Sequence, residues 1–120
     1  MDKIIIINGR KYKISSIKDI DKIINTFKDK KLNNDNETIY HILCKNLEDK
    51  DYMDYLFYKV VDNKCLTIKD KDGWTPLHYF AMYSLIGILH LTESLTTVDN
   101  LGFRPIDVFL MFIRKNIVSA

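Results

Sequence analysis

His41 and Cys44 come nearest to a catalytic pair among the residues of this chain. They are three positions apart, so on a helix they lie one turn apart, where a thiol nucleophile and its base can meet. The pair has no third group to orient the imidazole, and Cys44 falls on the core-facing side of its predicted helix. Since buried thiols are inert, we expect a structural cysteine rather than a nucleophile.

Acidic residues are grouped at two places where a cation could bind. One group is Asp49, Asp51 and Asp54, and the other is Asp70 and Asp72. Neither has the spacing of an EF-hand loop, and the two cysteines show no zinc-binding spacing. The sequence also lacks a P-loop, a G-x-S-x-G elbow, an H-E-x-x-H helix and a dinucleotide fingerprint. We therefore predict no metal site, no cofactor and no enzymatic activity.

Basic residues are concentrated near the N-terminus. The first 31 residues contain nine Lys or Arg and four Asp, although the whole chain has a formal charge of only +2. Arg10, Lys11 and Lys13 could contact the phosphates of a nucleic acid. Lysines also protect an edge strand from aggregation, and the interleaved acids favour this second interpretation.

The composition indicates a single globular domain. The chain has 120 residues, of which 47% are hydrophobic and 28% charged. The N-terminal apolar run Ile4–Ile7 and the longest late run, Val108–Ile113, are shorter than a signal-peptide core or a membrane span. We expect no membrane partner, and we expect the protein to act in the cytoplasm of its own cell or of an infected host.

The first element is predicted to be a β-hairpin. Two β-prone runs, Lys3–Ile7 and Arg10–Ile14, flank Asn8-Gly9, a dipeptide that suits the two positive φ angles of a type I′ turn. The first run is apolar on both faces, so we expect both faces to be covered.

A helix is predicted to follow the hairpin. Ser15-Ser16 offer an N-cap, and the helix is expected to end near Lys31. Its apolar residues recur at helical spacing on one side. They are Ile17, Ile20, Ile23, Ile24 and Phe27.

From residue 33 the chain repeats. The turns Asn33–Asn36, Asp70–Gly73 and Asp99–Gly102 are separated by 37 and 29 residues. Each turn precedes a predicted pair of short helices, of which the last pair is incomplete, and such a unit must stack on its neighbours to bury its apolar face. The helices are expected to run from Thr38 to Leu47, from Tyr52 to Val61, from Pro76 to Tyr83, from Leu85 to Leu91 and from Pro105 to Ile113.

The middle unit resembles the ankyrin-repeat signature. The matching residues are Asp70-x-x-Gly73-x-Thr75-Pro76-Leu77-His78-x-x-Ala81. The third unit keeps Asp99, Gly102 and Pro105, and the first keeps Thr38 and His41. The resemblance covers about residues 33–116 and leaves out the hairpin and first helix.

The resemblance implies a mostly α fold, an ankyrin-like helical stack in one compact domain. Residues 1–32 would cap it, and the repeats would span 33–69, 70–98 and 99–120, the last incomplete. The family's histidine braces adjacent repeats, so His78 would have this role. His90 lies among apolar residues, and we expect it to be structural.

The resemblance also implies a non-enzymatic protein-binding module. Trp74 and Phe103 both follow a turn glycine and would project towards a partner, since aromatic residues and arginine often anchor interfaces. An alternative is that Trp74 packs against its own repeat. The full set of expected partner-binding residues is Lys71, Trp74, Tyr79, Tyr83, Leu101, Phe103 and Arg104.

Several functions fit such a module. A chain of this size suits an inhibitor, an immunity protein or a viral or phage antagonist of a host factor, each of which blocks or sequesters another protein. One alternative is a nucleic-acid-associated protein that uses the basic residues of 3–31. Another is self-association through the edge of Ile4–Ile7, and the oligomeric state stays open.

Overall fold

A computed structural model describes residues 2–28, 30–83 and 95–119. Within them an antiparallel hairpin precedes five helices. The predictions of a mostly helical fold and an N-terminal hairpin are thereby confirmed. The strands are β1 (Lys3–Ile7) and β2 (Arg10–Ile14), and the helices are α1 (Ile17–Phe27), α2 (Ile39–Asn46), α3 (Lys50–Asp62), α4 (Pro76–Tyr83) and α5 (Pro105–Ser119).

The hairpin forms because its turn residues accept left-handed backbone angles. Asn8 and Gly9 have φ angles of 53° and 81°, as a type I′ turn requires. The resulting register places Ile7 opposite Arg10 and Ile5 opposite Tyr12. Ile5 and Ile7 are buried on the face that packs towards the helices.

The opposite face of the hairpin is open. Ile4 and Ile6 each keep 61% of their surface exposed. The expectation that both faces of the first strand are covered is therefore wrong. In the described part of the chain the hairpin lies at the outside of the molecule, so helices meet only one of its faces.

α1 begins as predicted but ends early. Ser16 is its N-cap, and the carboxylate of Asp19 accepts hydrogen bonds from the N–H groups of Ser15 and Ser16. The predicted end near Lys31 is wrong, because Lys28 has a left-handed φ of 52° that closes the helix after Phe27.

The helices of the repeating part begin at polar caps. α2 begins at Ile39, one residue after the predicted start at Thr38, and Thr38 is its N-cap. α3 starts two residues earlier than predicted, because the side chain of Asp49 accepts hydrogen bonds from the N–H groups of Asp51 and Tyr52. α3 ends at Asp62, one residue beyond the predicted Val61, and Lys64 shortly after it has a φ of 58°.

Of the last two predicted helices, the structure describes only the one that opens at Pro105. α5 opens at Pro105 as predicted and continues beyond Ile113 to Ser119. The predicted helix Leu85–Leu91, with His90, lies outside the described residues.

The core lies where the helices converge. α4 packs between α2 and α5, and α3 packs against α1, α2 and α4. Its largest fully buried side chains come from the hairpin and from every helix up to α4. They include Ile5, Ile7, Ile14, Ile20, Ile39, Leu43, Leu47, Leu56, Leu77 and Phe80.

Candidate functional site

The turn before α4 is organised by one buried carboxylate. Asp70 Oδ1 accepts hydrogen bonds from the N–H groups of Asp72 and Trp74, both at 2.9 Å. Its Oδ2 accepts from the hydroxyl of Tyr79 at 2.9 Å. The chain reverses at Gly73, whose φ is 78°. The buried carboxylate of Asp70 thus holds the backbone of its own turn in place through charge-assisted hydrogen bonds.

The other two turns use the same bonds. An oxygen of Asp99 or Asn33 accepts from the N–H groups two and four residues ahead, as in the middle turn. The donors are Leu101 and Phe103 for Asp99 (2.9 and 2.8 Å), and Asp35 and Glu37 for Asn33 (3.0 and 3.2 Å). Asn36 and Gly102 have φ angles of 55° and 87° and so match Gly73. The three turns are therefore equivalent in structure as well as in sequence.

The turns also stack on one another. The N–H of Lys71 donates to the carbonyl of Asp35 at 2.7 Å, and the N–H of Asn100 donates to the carbonyl of Asp72 at 2.9 Å. A Cβ on Gly73 would lie 2.6 Å from Oδ1 of Asn100. We call residues 33–36, 70–73 and 99–102 the stacked turns, since a backbone bond joins each to the next.

A buried histidine joins the middle unit to the third. The N–H of Thr75 donates to Nδ1 of His78 at 3.2 Å, and Nε2 of His78 lies 2.9 Å from the carbonyl oxygen of Phe103. A backbone N–H can only donate and a carbonyl can only accept. The ring is therefore neutral and carries its proton on Nε2.

The first unit is joined to the middle one in the same way. The N–H of Thr38 donates to Nδ1 of His41 at 3.1 Å, and Nε2 of His41 lies 3.0 Å from the carbonyl oxygen of Trp74. Burial lowers the pKa of His41 and of His78, because it disfavours the charged imidazolium. Both histidines thus link adjacent units.

The third unit replaces this arrangement with an ion pair. Asp107 takes the position of the histidine, and its Oδ2 accepts from the N–H of Arg104 at 2.9 Å. Its Oδ1 lies 2.9 Å from the guanidinium of the same residue. Hydrogen bonds from Arg104 lower the pKa of Asp107 to about 2. The carboxylate of Asp107 therefore bonds to a residue of its own unit, whereas the two histidines bond to the next unit.

Trp74 lies between units and is half-buried. Its indole N–H donates to Oδ2 of Asp99 at 2.8 Å. Its ring lies 5.3 Å from that of His78 and 4.9 Å from that of Tyr79, measured between centroids. The structure places Trp74 and Tyr79 among the side chains that hold the turns together.

Other predicted partner-binding residues reach solvent. Leu101 is 82% exposed at the tip of the third turn, and Phe103 is 39% exposed. Lys71 is exposed and forms a 3.4 Å ion pair with Asp35. Arg104 is engaged by Asp107, and Tyr83 is the last residue of α4, where its side chain lies outside the described part.

An apolar groove of about 210 Å³ includes Trp74, another of the predicted residues, in its lining. It lies between α4 and α5, and Trp74 connects it to the third turn. The other residues of the groove were not predicted from the sequence, although the apolar residues on all sides of α5 indicate a surface that could bind there. The groove is lined by Trp74, Met82, Val108, Met111 and Phe112. We call this groove, together with exposed Lys71, Leu101 and Phe103, the turn face.

The three units are related to one another by sequence, turn geometry and histidine bonds. Searches of family models, curated proteins and solved structures found no match to this chain. Any functional interpretation of this chain therefore depends on its internal repeat.

The basic residues of the hairpin are divided between its two faces. Lys11 and Lys13 lie opposite Ile6 and Ile4 and share their face, whereas Arg10 lies opposite Ile7. Lys13 also forms a 3.3 Å ion pair with Asp2. The three cations thus form no continuous strip along one face.

The candidate catalytic pair is engaged elsewhere. Both ring nitrogens of His41 are bonded within the fold, and Cys44 is fully buried, which raises the pKa of its thiol. In the described residues, no three His, Cys, Asp or Glu side chains are grouped to hold a metal ion. None of the described helices is both long and apolar enough to cross a membrane.

Proposed function

We propose that this chain is a non-enzymatic protein-binding module of the ankyrin-repeat type, and that its turn face contacts another protein. The observation that carries the proposal is Leu101, a large apolar side chain exposed at the tip of a turn whose backbone is fixed by Asp99. An exposed apolar group on a rigid support binds with little loss of conformational entropy.

The bonds between units support the proposed repeat type. His41 and His78 each bridge to a carbonyl of the next unit, which is the role that the resemblance implies for the family's histidine. The stacked turns add a second row of bonds between the same units. Such a stack is a firm surface made of several units, which suits the recognition of a folded protein.

The chemistry of the turn face suggests how a partner is held. Its groove is almost entirely apolar, and exposed Phe103 and Leu101 accompany it. Interface energy is concentrated in a few apolar and aromatic anchors surrounded by polar residues. We propose that the partner inserts an apolar side chain into the groove, and that its covered surface becomes unavailable to others, so the module inhibits or sequesters it.

The experiment is affinity capture from native or host-cell extract with two variants. Leu101→Asp/Phe103→Glu places in the third turn the residue types that the other turns have at Asp35, Asp72 and Glu37, so the turn should still form. The control is Tyr58→Ala, which removes an aromatic side chain that is 60% exposed on α3.

The proposal expects one protein to be retained by the wild type and the control and to be lost from the double variant. Loss of the two anchors should weaken binding by roughly tenfold or more. Equal recovery with the double variant, or recovery of nucleic acid alone, would contradict the proposal.

A further inference from the structure

The outer edge of β1 has no partner in the described part of the chain. The two-residue turn makes Ile7 and Arg10 a hydrogen-bonded pair. Because hydrogen-bonded and non-hydrogen-bonded pairs alternate along an antiparallel ladder, the backbone groups of Ile4 and Ile6 point away from β2. No other described backbone group bonds to them, and the sheet has two strands.

The side chains on this edge are apolar and open to solvent. Ile4 and Ile6 are each 61% exposed. Because the burial of apolar surface is favourable, covering these side chains stabilises any assembly that forms there.

Charge distinguishes β1 from β2. Proteins protect edge strands with lysine, proline or a bulge, and β2 has Arg10, Lys11 and Lys13. β1 has a single charge, on Lys3, followed by four isoleucines. Repulsion between like charges therefore opposes pairing of two copies through β2 and leaves β1 open to it.

We propose that two copies of this chain pair antiparallel through β1, about a two-fold axis at Ile5. In this register Ile4 of one copy faces Ile6 of the second copy, and these residues exchange the N–H···O=C bonds that point outward. Asp2 then faces Asn8, and Lys3 faces Ile7, so no like charges are opposed. The result is a four-stranded sheet that leaves the turn face of each copy free.

This inference goes beyond the proposed function and does not depend on it. A dimer would carry two turn faces and would bind a partner that displays two epitopes more tightly through avidity. The edge is assigned to a second copy of this chain. β1 of that copy is an extended strand with the same exposed isoleucines, and in this register it opposes no like charge.

Sedimentation velocity over a range of concentrations tests the dimer. The wild type should show a concentration-dependent species of twice the monomer mass. Ile4→Lys/Ile6→Lys should raise the dissociation constant by at least about tenfold, because it opposes like charges in the new ladder. The matched control is Ile17→Lys, since Ile17 is a 43% exposed isoleucine on α1, and it should dimerise like the wild type.

A strictly monomeric wild type at high concentration would overturn the proposal, as would a dimer that the charged variant does not weaken. Circular dichroism of each variant establishes that the hairpin and helices are still formed. A monomer that binds an unrelated extended peptide along β1 would also overturn it, since the edge would then have another occupant.

Cysteine cross-linking tests the register. The α-carbons of a hydrogen-bonded antiparallel pair are about 5.5 Å apart, within reach of a disulfide. An equimolar mixture of Ile4→Cys and Ile6→Cys proteins should therefore cross-link faster than either alone. The native cysteines are buried and should not compete. Equal cross-linking in all three samples would contradict the register.

Discussion

Backbone groups fix the proton on each bridging histidine. His78 has a backbone N–H at Nδ1 and a carbonyl at Nε2, and His41 has the same surroundings. A second proton on Nδ1 would point at an N–H group, and burial adds to the cost of the charge. The neutral ring therefore suits both contacts, and protonation disrupts the bond at Nδ1, although Nε2 can still donate to the next unit.

We predict that stability falls when the pH drops below 6.5, the pKa of an unperturbed histidine. The folded-state pKa values of both histidines are lowered, so the unfolded chain binds protons first. Their contribution is complete above pH 6.5 and is lost as the pH falls towards the lower folded values. The slope reaches about 1.4 kcal/mol per pH unit for each histidine.

Urea denaturation at a series of pH values measures this slope. The control is His41→Asn/His78→Asn, which should be less stable at neutral pH but flatter between pH 7.5 and 5.5 because the two titrating groups are gone. A wild-type profile as flat as that of this variant would count against neutral, buried imidazoles.

At the scale of the element, the turns depend on each other as well as on their own residues. Gly73 and Gly102 both have positive φ angles, which cost an L-residue roughly 1–2 kcal/mol. Of these two glycines, only Gly73 is in close contact with the next turn, because Asn100 occupies the space that a Cβ would need. The packing of one turn therefore restricts the residue type of another.

We predict that Gly73→Ala destabilises the protein by more than Gly102→Ala does. Gly102→Ala should cost roughly 1–2 kcal/mol from backbone strain alone, because nothing lies within 4 Å of its Cβ. Gly73→Ala has the same strain and in addition separates two stacked turns. The comparison of the two unfolding free energies in urea is its own control, and equal losses would show that the turns do not stack closely.

The elements that the sequence predicted correctly are those with local signals. The hairpin follows from Asn8-Gly9, and the starts of α2 and α4 follow from Thr38 and Pro76. The end of α1 was missed because its apolar stripe and lysines could continue a helix. What ends it is the reversal at Lys28, after which Leu32 donates to the carbonyl of Glu37, a contact that periodicity does not reveal.

The candidate site was predictable in its repeated positions and not in its groove. Offsets of 37 and 29 residues located the stacked turns, and the resemblance of residues 70–81 to the ankyrin signature implied the bridging role of His78. The half-burial of Trp74 depends on Asp99 in the next unit. The groove depends on the approach of α5 to α4, and such tertiary contacts leave no spacing in the sequence.

At the scale of the whole molecule, two different surfaces are available. The turn face belongs to the second and third units, and the β1 edge belongs to the N-terminal hairpin. Because no residue is shared between them, changes at one should leave the other intact. Ile4→Lys/Ile6→Lys should therefore weaken dimers by at least about tenfold while each monomer still binds a single epitope of the partner through its turn face.

The most direct test of the proposed function is hydrogen–deuterium exchange of the protein alone and with its captured partner. We predict slower exchange in peptides that cover 70–74 and 99–104, with α3 unchanged over Lys50–Asp62. The turn amides are already bonded to Asp70 and Asp99, so further protection there would show that the partner covers the turns. Protection confined to the hairpin or to α3 would contradict the turn face as the binding surface.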